Sequence, residues 1–354
     1  MTTSKTDPLV GHTLAGKYVI EALVHEEGLG KVYDAVILPA RQPVSVKVLH
    51  PNLVEDKEAF GRFGREMMAT AAIQHPNTVE MLDFGEHRGI FHFIVLERFP
   101  ARSLAEELGI WKQLSVDRAT HIAAQIASAL ITAHSENIVH RNLVPENILL
   151  LDTAVGGDFV KIRDFGFSRL HDAEGNVDDD ISDVTTRVGT VSYMAPEYID
   201  AGIVDPRGDL YALGILLYEM LTGAPPFVGR QGEVLEAHLR DIPPPPSSRA
   251  TVPLWLDELV AHLLEKDLLD RPRHAAEVLT ALQRGTRKRL DPPQLSREAQ
   301  PRPRPKGTEP PRQREEEAPA SGGTGVLGAL GVIVLIVVIV GIIAAVLGSL
   351  PVIE

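Results

Sequence analysis

The sequence predicts an α+β protein of two lobes, a small β-rich lobe followed by a larger helical lobe, with one C-terminal transmembrane helix. Three observations lead to this prediction. Short β-rich segments fill the chain up to about residue 99, and apolar residues recur at helical spacing after Ser103. Residues 326–350 then form an apolar run without a charged side chain, which is long enough to cross a bilayer.

The composition excludes several classes of protein. Hydrophobic residues make up 44% of the 354 residues, as expected for a globular protein with a proper core. The chain contains no cysteine, so disulfides and thiolate metal sites are excluded. A net charge of −13 argues against a nucleic-acid binder, whose surface would be basic. Residues 1–10 lack the apolar run of a secretory signal peptide, so we expect no export of the N-terminal body.

Five segments are expected along the chain. Residues 1–13 form a disordered N-terminus, and residues 14–284 form the folded region. Residues 285–325 form a linker rich in proline, arginine and glutamate, which cannot bury enough apolar surface to fold. Residues 326–350 form the transmembrane helix, and residues 351–354 form an external tail.

The elements of the folded region follow from its apolar pattern. Strands are expected in five segments, 17–24, 30–37, 43–49, 78–85 and 89–97, with one helical stretch at 57–73. Helices are expected at 117–136 and 209–223, where apolar residues repeat every three or four positions. The cleft between two such lobes is a common place for a ligand site.

The run from Val326 to Leu350 is expected to be a membrane anchor. A helix of this length spans a hydrocarbon core of about 30 Å, whereas a buried core helix, the alternative, is usually shorter and has a polar face. Gly341 and Ala345 form a small-xxx-small pair that could join two chains as a homodimer, although the pair could also be accidental. Under the positive-inside rule, the body lies in the cytoplasm because basic residues flank only the N-terminal side, namely Arg302, Arg304, Lys306, Arg312 and Arg314.

Seven short motifs follow one another in the folded region. They are VSVKVL around Lys47, FGREMM around Glu66, HRNLVPENILL at 140–150, RDFG at 163–166, MAPE at 194–197, DLYALG from Asp209 and RP at 271–272. Each motif is weak alone, but in this order and spacing they resemble the eukaryotic-like Ser/Thr protein kinases of bacteria. The resemblance covers roughly residues 14–284 and implies the two-lobed protein-kinase-like fold.

The resemblance implies a site for ATP and Mg²⁺. Lys47 would hold the α- and β-phosphates and form an ion pair with Glu66. Asp164 and Asn147 would bind Mg²⁺, which prefers hard oxygen ligands. Other residues would line the nucleotide, namely Gly30 in the phosphate loop, Val32, Ser45, Leu96 and Leu149 around the adenine, and the backbone from Glu97 to Phe99 as the hinge. Three more would hold the fold: Glu197 and Arg271 as a buried ion pair, and Asp209 as the anchor of the catalytic loop.

The sequence departs from the family at the reacting end of the cleft. Asn142 stands where the family has the aspartate that accepts the substrate's proton, and Val144 stands where it has a lysine that steadies the transferring phosphate. An amide has no useful basicity, so Asn142 cannot act as the general base. Arg163 precedes Asp164 where the family prefers a small residue, and it could pair with a nearby glutamate or with a phosphate.

The phosphate loop departs from the family pattern as well. Aligned on Gly30 and Val32, the loop has His25 and Glu27 where the family has glycines that let the backbone approach the phosphates. Glu26 and Glu27 would place negative charge near a polyanion, unless both side chains turn to solvent. Binding of ATP and Mg²⁺ is therefore expected to be weakened.

The activation segment contains candidate phosphorylation sites. In the family, the arginine at the position of Arg141 receives a phosphorylated activation loop. A phosphate added by another kinase to Thr185 or Thr186 could pair with Arg141 and order this segment.

Three hypotheses about function follow. The first is a pseudokinase, a single-pass, tail-anchored membrane protein whose cytoplasmic domain regulates or recruits cytoplasmic proteins such as active kinases or their substrates. The second is an active but divergent kinase that transfers the ATP γ-phosphate to protein Ser/Thr, using Lys47, Asp164, Asn147 and substrate-assisted proton loss. The third is a scaffold that never binds nucleotide.

Overall fold

The computed structural model describes residues 7–26, 29–153, 157–165 and 190–290. Within these ranges, the side chains of residues 57–59, 62, 65, 66, 69, 190 and 287–290 are not described. The chain divides into two units, Met1–Gln294 and Leu295–Glu354, and every described residue belongs to the first. The predicted transmembrane helix and external tail, together with the linker from residue 291 onward, therefore lie outside the described residues.

The N-terminal lobe is built on a six-stranded antiparallel sheet with the order β1-β2-β3-β4-β6-β5. Its strands are β1 (Thr13–Leu14), β2 (Tyr18–Glu26), β3 (Gly30–Ile37), β4 (Gln42–Leu49), β5 (Met81–His87) and β6 (Phe91–Glu97). All five predicted strand segments are confirmed. The largest difference is at β5, which begins at Met81 instead of residue 78.

Alternation along the strands gives this sheet two different faces. Val44, Val46 and Val48 of β4 are at most 3% exposed and pack together in one apolar core. The intervening residues Ser45 and Lys47 therefore lie on the opposite face, which we call the cleft face. The predicted helix is also present, as α1 (Lys57–Ala72).

The folded region begins earlier than predicted. The Asp7 carboxylate accepts hydrogen bonds from Lys31 Nζ and Tyr33 Oη, both at 2.9 Å, and from the backbone nitrogen of Leu9 at 3.0 Å. Residues 7–13 are thus part of the fold, contrary to the prediction that all of residues 1–13 are disordered. Leu9 and Val10 also pack against the apolar core of this lobe, but a segment this short shows no apolar period in the sequence.

The C-terminal lobe forms around two long helices, α3 (Val116–Ser135) and α5 (Pro206–Thr222), which confirm the two predicted ones. Helix α5 is buried on nearly all sides, as expected for a helix that is apolar all round. It begins at the capping side chain of Asp205 and ends at Gly223, whose φ of 86° closes the helix. The other helices are α2 (Leu104–Trp111), α4 (Pro196–Ala201), α6 (Gln231–Arg240), α7 (Leu254–Leu263) and α8 (Ala275–Leu290).

A three-stranded antiparallel sheet in this lobe was not predicted. It consists of β7 (Arg102–Ser103), β8 (Ile148–Asp152) and β9 (Asp158–Ile162) in the order β7-β8-β9. These strands have two to five residues, which is too short for a reliable period in the sequence. Strands β8 and β9 carry the catalytic-loop and RDFG motifs into the cleft.

None of the helices in the described ranges combines the length and the apolar composition needed to cross a bilayer. The run predicted to span the membrane, residues 326–350, is not among them.

The buried His238 of α6 gives a prediction for the pH dependence of stability. Its Nδ1 lies 2.8 Å from Tyr211 Oη, and burial lowers the pKa of His238 to about 4. The unfolded chain binds this proton near pH 6.5, so the free energy of unfolding should fall by about 2 kcal/mol between pH 7 and pH 5 through this residue. Urea unfolding at pH 7 and at pH 5 measures this difference. The free energy of unfolding of His238→Gln should fall less between the two pH values than that of the unmutated chain.

The matched control for this prediction is His262→Gln, which changes an exposed histidine in the same lobe. The stability of that variant should fall between the two pH values by as much as the stability of the unmutated chain. An equal fall in His238→Gln and in the unmutated chain would contradict the assignment of this proton to His238.

Candidate active site

The cleft face gathers four of the predicted nucleotide-binding residues. The register pairs Val32 with Lys47 and Ser45 with Leu96, and residues directly opposite in an antiparallel pair share a face. Lys47 lies on β4, between β3 and β6, and is only 2% exposed. The alternative of a surface lysine on an edge strand is therefore wrong.

Gly30, at the start of β3, lies against the backbone of β4. A Cβ atom built on Gly30 would be 2.2 Å from the carbonyl oxygen of Val48, a distance that real side chains do not adopt. The glycine is thus required for strand packing, in addition to the phosphate-loop role that the family resemblance implies.

Gly30→Ala is expected to lower the free energy of unfolding by about 1–3 kcal/mol or more, because a backbone carbonyl cannot rotate away from the added methyl group. Gly64→Ala is the matched control, since a Cβ at Gly64 in α1 meets no atom within 4 Å. That change should raise the free energy by about 0.5–1 kcal/mol through helix propensity. Urea unfolding measures both, and equal stabilities would contradict the packing role of Gly30.

Two consecutive hinge residues are tied to opposite lobes. Glu97 accepts a hydrogen bond from Lys161 Nζ, on β9 of the C-terminal lobe. Arg98 forms a bidentate ion pair with Asp34 of β3, with nitrogen–oxygen distances of 2.6 and 2.7 Å. The hinge is therefore fixed to both walls of the cleft by charged groups.

Leu149 and Phe99 lie on the C-terminal side of this hinge. Leu149 is half-buried on β8 and pairs with Lys161 on β9. Lys161 Nζ lies 5.1 Å from the centre of the Phe99 ring, within the range of a cation–π contact. The contact of Leu149 and of this hinge with an adenine stays a prediction.

Asp209, in the first turn of α5, holds the backbone of the catalytic loop. Its carboxylate accepts hydrogen bonds from the backbone nitrogens of His140 at 2.8 Å and Arg141 at 2.9 Å, and His134 Nε2 lies 2.8 Å from it. Burial alone would raise the pKa of Asp209, but these partners, led by His134, hold it below its ordinary value. The predicted anchoring contact is therefore present, with an ionised carboxylate at its centre.

The fully buried His140 links the catalytic loop to the next motif. Its Nδ1 accepts a hydrogen bond from the backbone nitrogen of Asn142 at 3.3 Å, and its Nε2 donates to the carbonyl of Arg163 at 3.1 Å. Burial lowers the pKa of His140, so the ring is neutral and carries its proton on Nε2. The Phe165 ring packs edge-on against it, with the ring centres 4.6 Å apart.

Hydrogen bonds within the catalytic loop fix its backbone around Asn142 and Val144, the two positions that depart from the family pattern. Asn147 Nδ2 donates to the carbonyl of Asn142 at 2.9 Å, and the backbone nitrogen of Asn147 donates to the carbonyl of Val144 at 3.0 Å. Val144 is 7% exposed. The side-chain oxygen of Asn142 is buried, and no hydrogen-bond donor reaches it from the residues that the structure describes.

The two predicted Mg²⁺ ligands are neighbours. The backbone nitrogen of Arg163 donates to the carbonyl of Asn147 at 3.0 Å, which brings Asp164 beside that asparagine. Asp164 and Arg141 have φ values of 60° and 62°. Such left-handed backbone at residues other than glycine stores strain and is concentrated at functional sites. Arg163 Nε lies 3.5 Å from Asp164 Oδ2.

The predicted ion pair between Glu197 and Arg271 is also present. The Arg271 guanidinium, which is 0% exposed, donates to the two carboxylate oxygens at 2.9 and 2.6 Å. Its remaining hydrogen bonds go to backbone carbonyls of Glu265, Lys266 and Arg207. This arginine therefore joins the segment after the activation loop to the base of the helical lobe.

The phosphate-loop residues face different sides of the sheet. His25 pairs with Val32 and therefore lies on the cleft face. Glu26 instead pairs with Lys31 and lies 3.9 Å from its Nζ and 3.5 Å from His50 Nε2. The expectation that Glu26 places its charge near the phosphates is wrong, because alternation along the strand turns this side chain to the other face.

Several predicted residues lie outside what the structure describes. They include Glu27 and the candidate phosphorylation sites Thr185 and Thr186, and the side chain of Glu66 is not described either. The Lys47–Glu66 ion pair and the phosphate acceptor role of Arg141 therefore stay predictions.

Sequence reasoning missed the ion pairs of the hinge. Lys161, Arg98 and Asp34 belong to none of the seven motifs, and their partners are far away in the sequence. The only available signal was the alternation on the predicted strand β3, which places Asp34 on the cleft face with Val32.

The fold and the site together define a protein kinase domain. The family model of the protein kinase domain matches residues 19–281, which is well over half of the chain. The chain therefore belongs to the protein kinase family, and the predicted resemblance to bacterial Ser/Thr kinases is confirmed.

Among the relatives, serine/threonine-protein kinase pkn3 of Myxococcus xanthus is 36% identical over 291 residues, which cover 80% of this chain and 52% of that protein. PknB of Mycolicibacterium smegmatis is 34% identical over 270 residues, covering 75% and 42%. The kinase domain of Mycobacterium tuberculosis PknI has the same fold, with a TM-score of 0.58 and 24% identity over 78% of this chain and 97% of that one. The chain spans about half the length of the curated relatives it matches.

Proposed function

We propose that this chain is a membrane-tethered signalling protein of the protein kinase family that binds ATP, transfers its phosphate poorly and acts as a regulator or scaffold. The observation that carries the proposal is the pair Asn142 and Val144 in a catalytic loop whose framework is otherwise kept. Asp209, His140 and Asn147 make the contacts that hold this loop.

Asn142 lacks the chemistry of a general base. An amide oxygen can accept a hydrogen bond from a substrate hydroxyl but cannot take its proton near neutral pH. Loss of a general base typically slows a reaction by about 10²- to 10⁴-fold.

Val144 removes a positive charge where negative charge develops in the family's reaction. Its side chain is 7% exposed and apolar, so it offers no donor to a transferring phosphate. Loss of such a donor in a site that excludes water typically costs about 3 kcal/mol of transition-state stabilisation. The two substitutions together support strongly impaired transfer.

The residues on the nucleotide side still fit ATP with a divalent cation. Lys47 is buried on the cleft face, and Asn147 and Asp164 offer an amide oxygen and a carboxylate side by side. Within the described ranges no cluster of three or more His, Asp or Glu could hold a metal alone. Two protein oxygens agree with Mg²⁺, which keeps several waters and binds mainly through nucleotide phosphates.

A divergent but active Ser/Thr kinase is the second candidate. It is favoured by the retained Lys47, Asn147 and Asp164, and by the relatives pkn3 and PknB, which are named as serine/threonine-protein kinases. Phosphate transfer depends largely on positioning and electrostatics, so absence of the base alone does not forbid it.

The proposal also includes attachment to a membrane and binding to partner proteins. The apolar run at 326–350 supports a membrane-spanning helix in this part of the chain, with the kinase-like domain in the cytoplasm. Gly341 and Ala345 support a homodimer through this helix. We expect cytoplasmic proteins as partners, including an active kinase that phosphorylates Thr185 or Thr186 and so provides a phosphate for Arg141.

A transfer assay on the full-length chain in detergent tests the proposal. γ-Labelled ATP, Mg²⁺ and a general Ser/Thr substrate are incubated with the unmutated chain and with Lys47→Met, which reports contaminating activity. Thermal unfolding with and without Mg·ATP is measured on the same samples. A stabilising shift without transfer above the control supports the proposal. Robust transfer supports the active kinase instead, and absence of both supports a scaffold that never binds nucleotide.

A further inference from the structure

Arg163 is the charged residue of the cleft whose side chain the family resemblance does not explain. Its backbone is fixed on both sides, because its nitrogen donates to Asn147 and its carbonyl accepts from His140. The side chain therefore leaves the chain at a defined point, immediately beside the two predicted Mg²⁺ ligands.

Alternation along β9 gives the direction of this side chain. Val160 and Ile162 are 0% exposed and belong to the core of the helical lobe. Lys161 lies on the other face, where it contacts the hinge and pairs with Leu149. Arg163 lies one position past the end of β9, and continuing the alternation places its side chain on the face of Lys161, toward the nucleotide cleft.

The guanidinium of Arg163 retains an unused donor. Its Nε atom is buried and makes no hydrogen bond to any residue in the described ranges, although it lies 3.5 Å from Asp164 Oδ2. Because Nε itself is inaccessible, an acceptor from outside the protein would approach the rest of this side chain, which is 35% exposed. A phosphate oxygen is the acceptor that matches a guanidinium in both charge and geometry.

We propose that Arg163 binds a phosphate of the nucleotide directly and supplies the positive charge that a divalent cation supplies elsewhere in the family. The cleft then binds nucleoside triphosphate without a divalent metal. This inference rests on the proposed binding of ATP and names the residue responsible for it.

The charges around Arg163 agree with this role. Asp164 would repel a bare triphosphate, but the adjacent guanidinium offsets its charge without a metal ion. Glu26 lies with Lys31 and His50 on the other face of the sheet, so its charge does not oppose the phosphates. Lys47 adds a second cation from the opposite wall of the cleft.

Equilibrium binding to the full-length chain in detergent tests the inference. ATP is titrated in EDTA and, separately, in excess Mg²⁺, with adenosine as a ligand that lacks phosphates. The variants are Arg163→Thr and, as the matched control, Arg240→Thr, which removes a 74% exposed arginine of α6. The unmutated chain should bind ATP in EDTA with an affinity within about threefold of that in Mg²⁺, because Arg163 and the metal are alternative partners for the same charge.

Arg163→Thr should weaken ATP binding in EDTA by about tenfold or more, the effect of one hydrogen bond to a charged group. Its affinity for ATP in Mg²⁺ and for adenosine should be nearly unchanged, which a merely misfolded variant would not show, and Arg240→Thr should match the unmutated chain. Binding of ATP in Mg²⁺ but not in EDTA would overturn this inference and leave the proposed function standing. Absence of ATP binding under both conditions would overturn both.

Discussion

Replacing Asn142 with aspartate and Val144 with lysine in one chain is expected to raise the rate of phosphate transfer to protein Ser/Thr by roughly 10⁴-fold. The aspartate restores a group that accepts the hydroxyl proton, and the lysine restores a cation beside the transferring phosphate. The rate is measured in single turnover with γ-labelled ATP, so that product release does not hide the chemical step.

The structure can accommodate both replacement side chains. Asparagine and aspartate have the same shape, and the contacts of residue 142 with the described part of the loop use its backbone nitrogen and carbonyl. The long stem of a lysine at position 144 can keep its methylene groups in the buried environment of Val144 while its ammonium reaches the cleft.

Two further variants separate the contributions. Asn142→Asp alone should recover about 10²-fold or more, from the general base. Val144→Met, which places a longer uncharged side chain at the buried position of Val144, should leave the rate of phosphate transfer unchanged. If the unmutated chain already transferred phosphate as fast as the double variant, the proposal of impaired transfer would be wrong.

Arg271→Met is expected to lower the free energy of unfolding by about 3–5 kcal/mol, the largest effect on stability that we expect from one substitution. The change leaves the Glu197 carboxylate, at 8% exposure, without its partner, and it also removes the donors for three backbone carbonyls. Urea unfolding followed by circular dichroism measures this loss.

A double variant identifies the cause of that loss. Glu197→Gln together with Arg271→Met removes the buried charge as well as its partner, and it should recover part of the lost stability. Arg240→Met, at an exposed ion pair of α6, should change stability by no more than about 0.5 kcal/mol. An Arg271→Met variant as stable as Arg240→Met would contradict the role of the pair.

The framework of the fold could be predicted from the sequence where the apolar pattern is long. Helices α3 and α5 and strands β2 to β6 follow regular periods, so their positions were predicted to within a few residues. The cleft was predictable because the motifs around Lys47, Asn147 and Asp164 are local and keep their spacing.

The parts that could not be predicted depend on contacts between distant residues. Strands β7 to β9 are too short to show a period, and Asp7 is held by single polar bonds to β3. The ion pair between Arg98 and Asp34 joins residues 64 positions apart, and nothing in either local pattern indicates the other. The direction of Glu26 depends on the strand register, which only the structure provides.

Asp209 holds the catalytic loop by accepting hydrogen bonds from the backbone N–H groups of His140 and Arg141. Every amino acid except proline has such a backbone N–H group. The contacts of Asp209 with this loop consequently do not depend on the side chains at positions 142 and 144. In evolutionary terms, chemistry and architecture can be inherited separately: a lineage can lose or regain the reactive groups at positions 142 and 144 without refolding.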